Sequence, residues 1–154
     1  MSYKCELYDQ NAQPTLFIRT RTALQDLPKT LGEAYSALGQ HMASLGIEPG
    51  GAPFTAYFNM DMQDLDIEIG FPMSVKVPGK GLIIAGELPA GNYSSVLYKG
   101  PYPGLGAAYA ALNEFLEKAG LKPTGVAYEF YLNSPMEVVP EDLRTQIVFP
   151  IQVE

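Results

Sequence analysis

Apolar residues recur at three- and four-residue steps in two stretches of the chain, and this spacing predicts two amphipathic helices. Pro28 suits the first turn of the first helix, and Gly46 and Gly120 suit the left-handed ends of the two helices. The apolar face of the first helix is Leu31, Ala34, Tyr35, Leu38, Met42 and Leu45. That of the second is Leu105, Ala108, Tyr109, Leu112, Phe115, Leu116 and Ala119.

Segments rich in β-branched and aromatic residues, bounded by turn residues, predict eight strands. The alternation is clearest in residues 65–71, where apolar residues alternate with acidic residues or glycine. One face of this strand is therefore expected to be buried and the other to be acidic. The predicted strands are residues 3–8, 15–22, 54–59, 65–71, 81–88, 93–98, 128–133 and 145–151.

The second half of the chain repeats the pattern of the first. With a shift of 74 positions, 11 of the 29 residues from 31 to 59 are identical. The sequence therefore predicts a duplicated β-β-α-β-β unit, with repeats of roughly 1–75 and 80–154 in one domain, 1–154. The predicted fold is α+β with pseudo-twofold symmetry, an antiparallel eight-stranded sheet, two helices and a central cleft between the repeats.

The composition is that of one globular domain, with 154 residues of which 47% are hydrophobic and 18% charged. No apolar run is long enough to span a membrane, and the N-terminus lacks the apolar region of a signal peptide. The single cysteine cannot form an internal disulfide. We therefore expect a cytoplasmic protein.

Charge narrows the classes of partner. Seventeen acidic residues against ten basic ones give a net charge of −7, which argues against direct binding of nucleic acid. A negative field suits cationic small molecules or a basic protein surface. Solubility alone also accounts for an acidic surface, and it is the favoured interpretation of the charge by itself.

The sharpest chemical feature is Glu129, an acid flanked by aromatic residues in the predicted strand 128–133. Its counterpart in the first repeat is Thr55. Alternation places Glu129, Tyr131 and Asn133 on one face of the strand, which we expect to line the cleft, and the other face is expected to pack on the helices. The residues alone leave four interpretations open: a surface charge, an acid paired with Arg144, a ligand anchor and a catalyst.

Other polar residues favour structural interpretations. Tyr35 and Tyr109 lie at equivalent helical positions, where aromatic residues are typical of a core. Glu68 is expected on a solvated strand face or at the mouth of the cleft, and His41 on the solvated side of its helix. No metal site is predicted, because residues 61–68 lack the spacing of a calcium loop. One histidine and no serine in a nucleophile elbow leave acyl-transfer triads without support.

Five segments together resemble the GyrI-like family of small-molecule-binding domains, which are also effector-binding modules of AraC- and MerR-type multidrug-responsive regulators. The segments are residues 66–72, 88–93, 100–102, 128–135 and 143–150. The resemblance covers nearly the whole chain and implies two units that share an antiparallel sheet with a central cleft. Where family members often carry histidine, this chain has Tyr98 and Lys99, so imidazole chemistry is not expected there. No helix-turn-helix precedes the domain, so a standalone domain is expected.

The resemblance implies a binding protein for lipophilic, cationic small molecules, anchored by Glu129 in the cleft between the repeats. It also implies two alternatives, a hydrolase of strained, cyclopropane-type toxins that uses Glu129 with Tyr131, and a protein that inhibits DNA gyrase. We expect no cofactor, no metal, no direct contact with nucleic acid and no membrane; a regulator or gyrase is the alternative partner. The candidate ligand-binding residues are Glu129, Tyr131, Tyr57, Tyr102, Thr55, Asn133, Glu68 and Phe149.

Overall fold

The computed structural model describes residues 3–153, which form eight β-strands and two α-helices. The helices are α1 (Leu27–Leu45) and α2 (Leu105–Lys118). The strands are β1 (Cys5–Gln10), β2 (Gln13–Thr22), β3 (Phe54–Tyr57), β4 (Leu65–Pro72), β5 (Ile83–Leu88), β6 (Gly91–Lys99), β7 (Ala127–Tyr131) and β8 (Arg144–Pro150). Neither helix of these residues combines the length and apolar character needed to cross a membrane. The predicted α+β class, with antiparallel strands and two helices, is confirmed.

The helix ends follow the local sequence. Pro28 lies in the first turn of α1, where the missing N–H has no partner to lose. Gly46 ends α1 with φ 67°, and Gly120 follows α2 with φ 71°. Both values lie in the left-handed region that glycine adopts without strain, so both predicted helix ends are confirmed.

The chain divides into two compact units of the same topology. The N-unit, residues 11–90, has the strand order β3-β4-β2-β5 and contains α1. The C-unit, residues 3–10 and 91–153, has the order β7-β8-β6-β1 and contains α2. All neighbouring strands within each unit are antiparallel. The predicted duplication is thus present in the fold.

The units differ from the sequence repeats at one strand each. β1 pairs with β6 of the C-unit, from Cys5↔Val96 to Gln10↔Gly91. β5 pairs with β2 of the N-unit, from Gln13↔Leu88 to Ile18↔Ile83. The first strand of each repeat therefore lies in the sheet of the unit that contains most of the other repeat. Only residues 11–12 and 89–90 separate the exchanged strands from the next ones.

Each unit has its own apolar core between its helix and its sheet. The core of the C-unit contains Val96, Tyr98, Ala108, Leu112, Leu116, Ile147 and Phe149. The N-unit has two clusters, one of Leu16, Leu38, Met42, Met73 and Val77 and one of Ala34, Leu65, Ile67 and Ile69. The buried positions of α1 and α2 belong to the predicted apolar faces, apart from His41.

His41 corrects the expectation of a solvated histidine. Its side chain is buried, and its Nε2 lies 2.8 Å from the carbonyl oxygen of Pro78. The residues around 78 fold back onto α1 in a way that helical spacing cannot reveal. His41 therefore holds the segment between β4 and β5 against the helix.

Two glycines of the N-unit give a matched test of this packing. A Cβ at Gly70 in β4 would lie 2.4 Å from the Leu16 carbonyl oxygen and 2.8 Å from the Phe17 Cβ, whereas one at Gly39 in α1 would meet nothing within 4 Å. We predict that Gly70→Ala lowers the free energy of unfolding by about 1–3 kcal/mol. Gly39→Ala should raise it by about 0.5–1 kcal/mol. Urea unfolding checks both, and equal effects of the two substitutions would refute the close approach at Gly70.

Candidate functional site

Glu129 lies in the middle of β7 and is 8% exposed. The Tyr131 hydroxyl donates to its Oε1 at 2.9 Å, and the Tyr109 hydroxyl donates to its Oε2 at 2.5 Å. Tyr131 is two residues along the same strand, and Tyr109 projects from α2. Each carboxylate oxygen therefore accepts a hydrogen bond from a neutral donor, one from the sheet and one from the helix.

This geometry corrects the predicted orientation of β7. Because Glu129 bonds to Tyr109 of α2, the face that carries Glu129 and Tyr131 is the one that meets the helix, and the prediction of the opposite arrangement is wrong. Tyr128 and Phe130 lie on the other face and stack on each other, with ring centroids 6.2 Å apart. Alternation along a strand predicts which residues share a face, but not which face the helix covers.

The carboxylate of Glu129 has no compensating cation among residues 3–153: none of their lysines, arginines or histidines forms an ion pair with it. Arg144, the pairing partner considered from the sequence, is exposed. Burial raises the pKa of the Glu129 carboxyl above its usual value, and the hydrogen bonds from Tyr109 and Tyr131 oppose this rise only in part. The site holds an acid whose charged form is solvated by hydroxyl groups alone.

Aromatic rings surround this carboxyl group. Tyr102, in a single 3-10 turn before α2, is 37% exposed, and its ring meets that of Tyr131 edge-on at 6.1 Å. Burial, and then the charge of Glu129, raise the pKa of Tyr102. The Phe149 ring lies 5.8 Å from that of Tyr109. The structure therefore brings together four of the predicted residues, Glu129, Tyr131, Tyr102 and Phe149.

Tyr109 is the member of this cluster that sequence reasoning missed. Its place on the apolar face of α2 led to its interpretation as a core residue, and its ring does pack against the core. Its hydroxyl group was overlooked. Its repeat counterpart, Tyr35, donates instead to the backbone oxygen of Phe54 at 2.6 Å and lies 3.5 Å from Thr55 Oγ1. One signal in the sequence could have identified Tyr109 as a site residue: both repeats carry a tyrosine at this helical position, and the second repeat also carries an acid in the strand that follows.

Three other predicted residues belong to the N-unit. Thr55 is fully buried beside Tyr35, and Tyr57 packs against the cluster that contains Ile67. Glu68 accepts a hydrogen bond from Arg19 at 3.4 Å, and its side chain is 18% exposed. Burial raises the pKa of Glu68, and the charge of Arg19 opposes the rise. Their contact with a ligand stays a prediction.

Asn133 joins the two ends of the loop between β7 and β8. Its Nδ2 donates to the Asp142 carbonyl at 2.9 Å, and its Oδ1 accepts from the backbone N–H of Arg144 at 2.9 Å. Asn59 makes the same pair of bonds, with the Asp64 carbonyl and the Asp66 N–H, in the loop between β3 and β4. The repetition gives this asparagine a structural role, and its predicted contact with a ligand is untested.

With this geometry established, similarity to known proteins identifies the family. A family model described as the GyrI-like small molecule binding domain matches residues 3–152. The chain belongs to this family. Among curated proteins, none matches the sequence.

Solved structures share the fold at low sequence identity. The C-terminal domain of EcmrR is 22% identical, with a TM-score of 0.79 and full coverage of both chains. EcmrR in its complex with DNA is 22% identical with a TM-score of 0.81; the match covers 99% of this chain but 58% of that one. SAV2435 bound to tetraphenylphosphonium is 12% identical with a TM-score of 0.69, and the match covers 99% and 94% of the two chains. The GyrI-like chain thus spans little more than half the length of EcmrR.

The raised pKa of Glu129 predicts how stability depends on pH. The folded protein holds the proton of the Glu129 carboxyl more tightly than the unfolded chain does. The stability of the wild type relative to Glu129→Gln is therefore greatest below the pKa that Glu129 has in the unfolded chain. That advantage is lost as the pH rises through the folded pKa, by about 1.4 kcal/mol for each unit of the shift. Thermal unfolding of both proteins across a pH series measures this difference.

A second variant separates the effect of burial from that of the donors. Tyr109→Phe removes a hydrogen bond that favours the charged form, so the pH range in which stability is lost should extend to higher pH. A constant difference between wild type and Glu129→Gln across the series would show that the carboxyl is not buried in this way.

Proposed function

We propose that this GyrI-like protein binds lipophilic cations, with Glu129 as the anchor. The observation that carries the proposal is a buried carboxylate whose two partners, Tyr109 and Tyr131, are neutral. A buried charge is ordinarily paired, and one held by hydroxyl donors alone retains its full net charge. A cationic ligand would supply the missing positive charge.

The surroundings of Glu129 favour a cation that is also apolar. Two unit charges 4 Å apart attract by about 4 kcal/mol at an effective dielectric constant of 20, which is far more than in water. The rings of Tyr102 and Tyr131 can each add roughly 0.5–2 kcal/mol when a cation lies over a ring face. Phe149 would extend the apolar wall. A small, strongly hydrated cation would lose its water at this site without gaining such contacts.

Family membership and one structural neighbour support the same function. The family model describes a small molecule binding domain, and SAV2435 was solved bound to tetraphenylphosphonium, a lipophilic cation. The net charge of −7 adds a favourable long-range field for cations. The contributions of Thr55, Tyr57, Glu68 and Asn133 to the ligand site remain proposals from the sequence. So do hydrolysis of strained electrophiles, inhibition of gyrase and a cytoplasmic location.

Titration with tetraphenylphosphonium tests the anchor directly. We predict saturable binding to the wild type by isothermal titration calorimetry, and a loss of roughly 100-fold in affinity for Glu129→Gln, which keeps the shape of the side chain and removes its charge. The measurement belongs at a pH above the raised pKa, where the carboxyl is ionised.

Glu117→Gln provides the matched control. Glu117 lies exposed on α2, so this variant removes the same net charge without touching the site. It should bind tetraphenylphosphonium as the wild type does. Equal affinities of Glu129→Gln and the wild type would refute the anchor. Equal losses of affinity in Glu129→Gln and Glu117→Gln would show that only the net charge of the protein matters.

A further inference from the structure

Thr145 in β8 carries the buried hydroxyl that the structure leaves unsatisfied. The residue is 0% exposed, and its Oγ1 has no hydrogen-bond partner within residues 3–153. Leaving a buried hydroxyl without a partner costs roughly 1–3 kcal/mol, so native proteins seldom do so without a reason. The position of this hydroxyl indicates what the reason is.

Thr145 lies beside the Glu129 site on the same face of the sheet. It is the cross-strand neighbour of Tyr131 on β7 and of Tyr98 on β6. Residues directly opposite each other have Cβ atoms about 4.5–5.5 Å apart, and diagonal neighbours are about 7–8 Å apart. Glu129, two residues before Tyr131, is such a diagonal neighbour. The unsatisfied hydroxyl is therefore within the span of one aromatic ligand that contacts the carboxylate.

The hydroxyl groups adjacent to Thr145 already donate elsewhere. Tyr98 donates to the carbonyl oxygen of Pro101 at 2.7 Å, and Tyr131 donates to Glu129. Neither forms a hydrogen bond with Thr145 Oγ1. The three polar side chains thus form a row in which the outer two have acceptors and the middle one has none.

The repeat shows that the fold does not require a hydroxyl at this place. In the N-unit, Tyr57 occupies the position of Tyr131, and its cross-strand neighbour on β4 is Ile67. Ile67 is 0% exposed and belongs to an apolar core cluster. An aliphatic side chain therefore fills the equivalent position in the N-unit, whereas the C-unit has a hydroxyl there.

We propose that the Thr145 hydroxyl is a hydrogen-bonding subsite that selects, among lipophilic cations, those with an oxygen on an aromatic ring near the charged centre. This inference rests on the proposed function of Glu129. The carboxylate binds the positive centre, and Thr145 donates its hydroxyl proton to a phenol, ether or carbonyl oxygen of the same ligand. A ligand without such an oxygen leaves the buried hydroxyl unsatisfied in the complex.

A matched series of phosphonium salts tests the subsite. The probes are tetraphenylphosphonium and its three analogues with one hydroxyl at the ortho, meta or para position of one ring. In the wild type, at least one analogue should bind roughly 3- to 10-fold more tightly than the parent, the value of one neutral hydrogen bond. In Thr145→Val, which keeps the shape of the side chain, this preference should fall to about onefold. Thr145→Ser, which keeps the hydroxyl, should retain it.

The outcomes separate the subsite from the anchor. If the parent salt binds in a Glu129-dependent way but no analogue is preferred, or if Thr145→Val keeps the preference, the subsite is refuted and the anchor stands. If the wild type binds neither the parent nor any analogue, both proposals fail.

Thermal stability gives a test that needs no ligand. Because the hydroxyl has no partner in the protein, Thr145→Val should unfold at the same temperature as the wild type or higher. A fall of several degrees, absent in Thr145→Ser, would show that the hydroxyl serves the fold and would overturn the subsite.

Discussion

The contact between the Glu129 carboxylate and two tyrosine hydroxyls is the interaction on which the proposed site of the C-unit depends. It joins β7 to α2, because Tyr131 and Tyr109 approach the carboxylate from the sheet and from the helix. Removing a carboxylate from water is costly, and two neutral hydrogen bonds offset only part of that cost. The part of this cost that is not offset raises the pKa of Glu129. The same imbalance is the basis of the proposal that the site binds a cation.

Duplication explains how a small domain can support such a site. The N-unit shows the ordinary outcome of the shared topology, in which Tyr35 bonds to the backbone and Ile67 fills the core. In the C-unit, Glu129 stands where Thr55 is, and Thr145 stands where Ile67 is. The first change puts a buried carboxyl in place of a buried hydroxyl, and the second puts a buried hydroxyl in place of an aliphatic side chain on the same face of the sheet. The two copies therefore differ in two buried side chains on this face, while the topology stays the same.

Local spacing was enough to predict the helices, the strands and the repeat, and it singled out Glu129 as a candidate. What it could not predict depends on contacts between distant residues. The exchange of β1 and β5 follows from strand pairing across the chain, which leaves no mark in the alternation of either strand. His41 is buried because residues near 78 fold back on α1. The contact of Tyr109 with Glu129 was missed for a related reason. The spacing of apolar residues along a helix is the same whether or not a carboxylate lies opposite one of them.

Proton release on binding measures the central claim most directly. If a cation binds to the ionised form of Glu129, binding must lower the pKa of that carboxyl, and protons must leave the protein as the complex forms. Calorimetric titration with tetraphenylphosphonium in buffers of different ionisation enthalpy counts these protons over a pH series. The account predicts release by the wild type that is greatest at a pH between the pKa of Glu129 in the complex and its raised pKa in the free protein, and that is absent in Glu129→Gln. Binding without proton exchange at any pH, or the same exchange in both proteins, would contradict it.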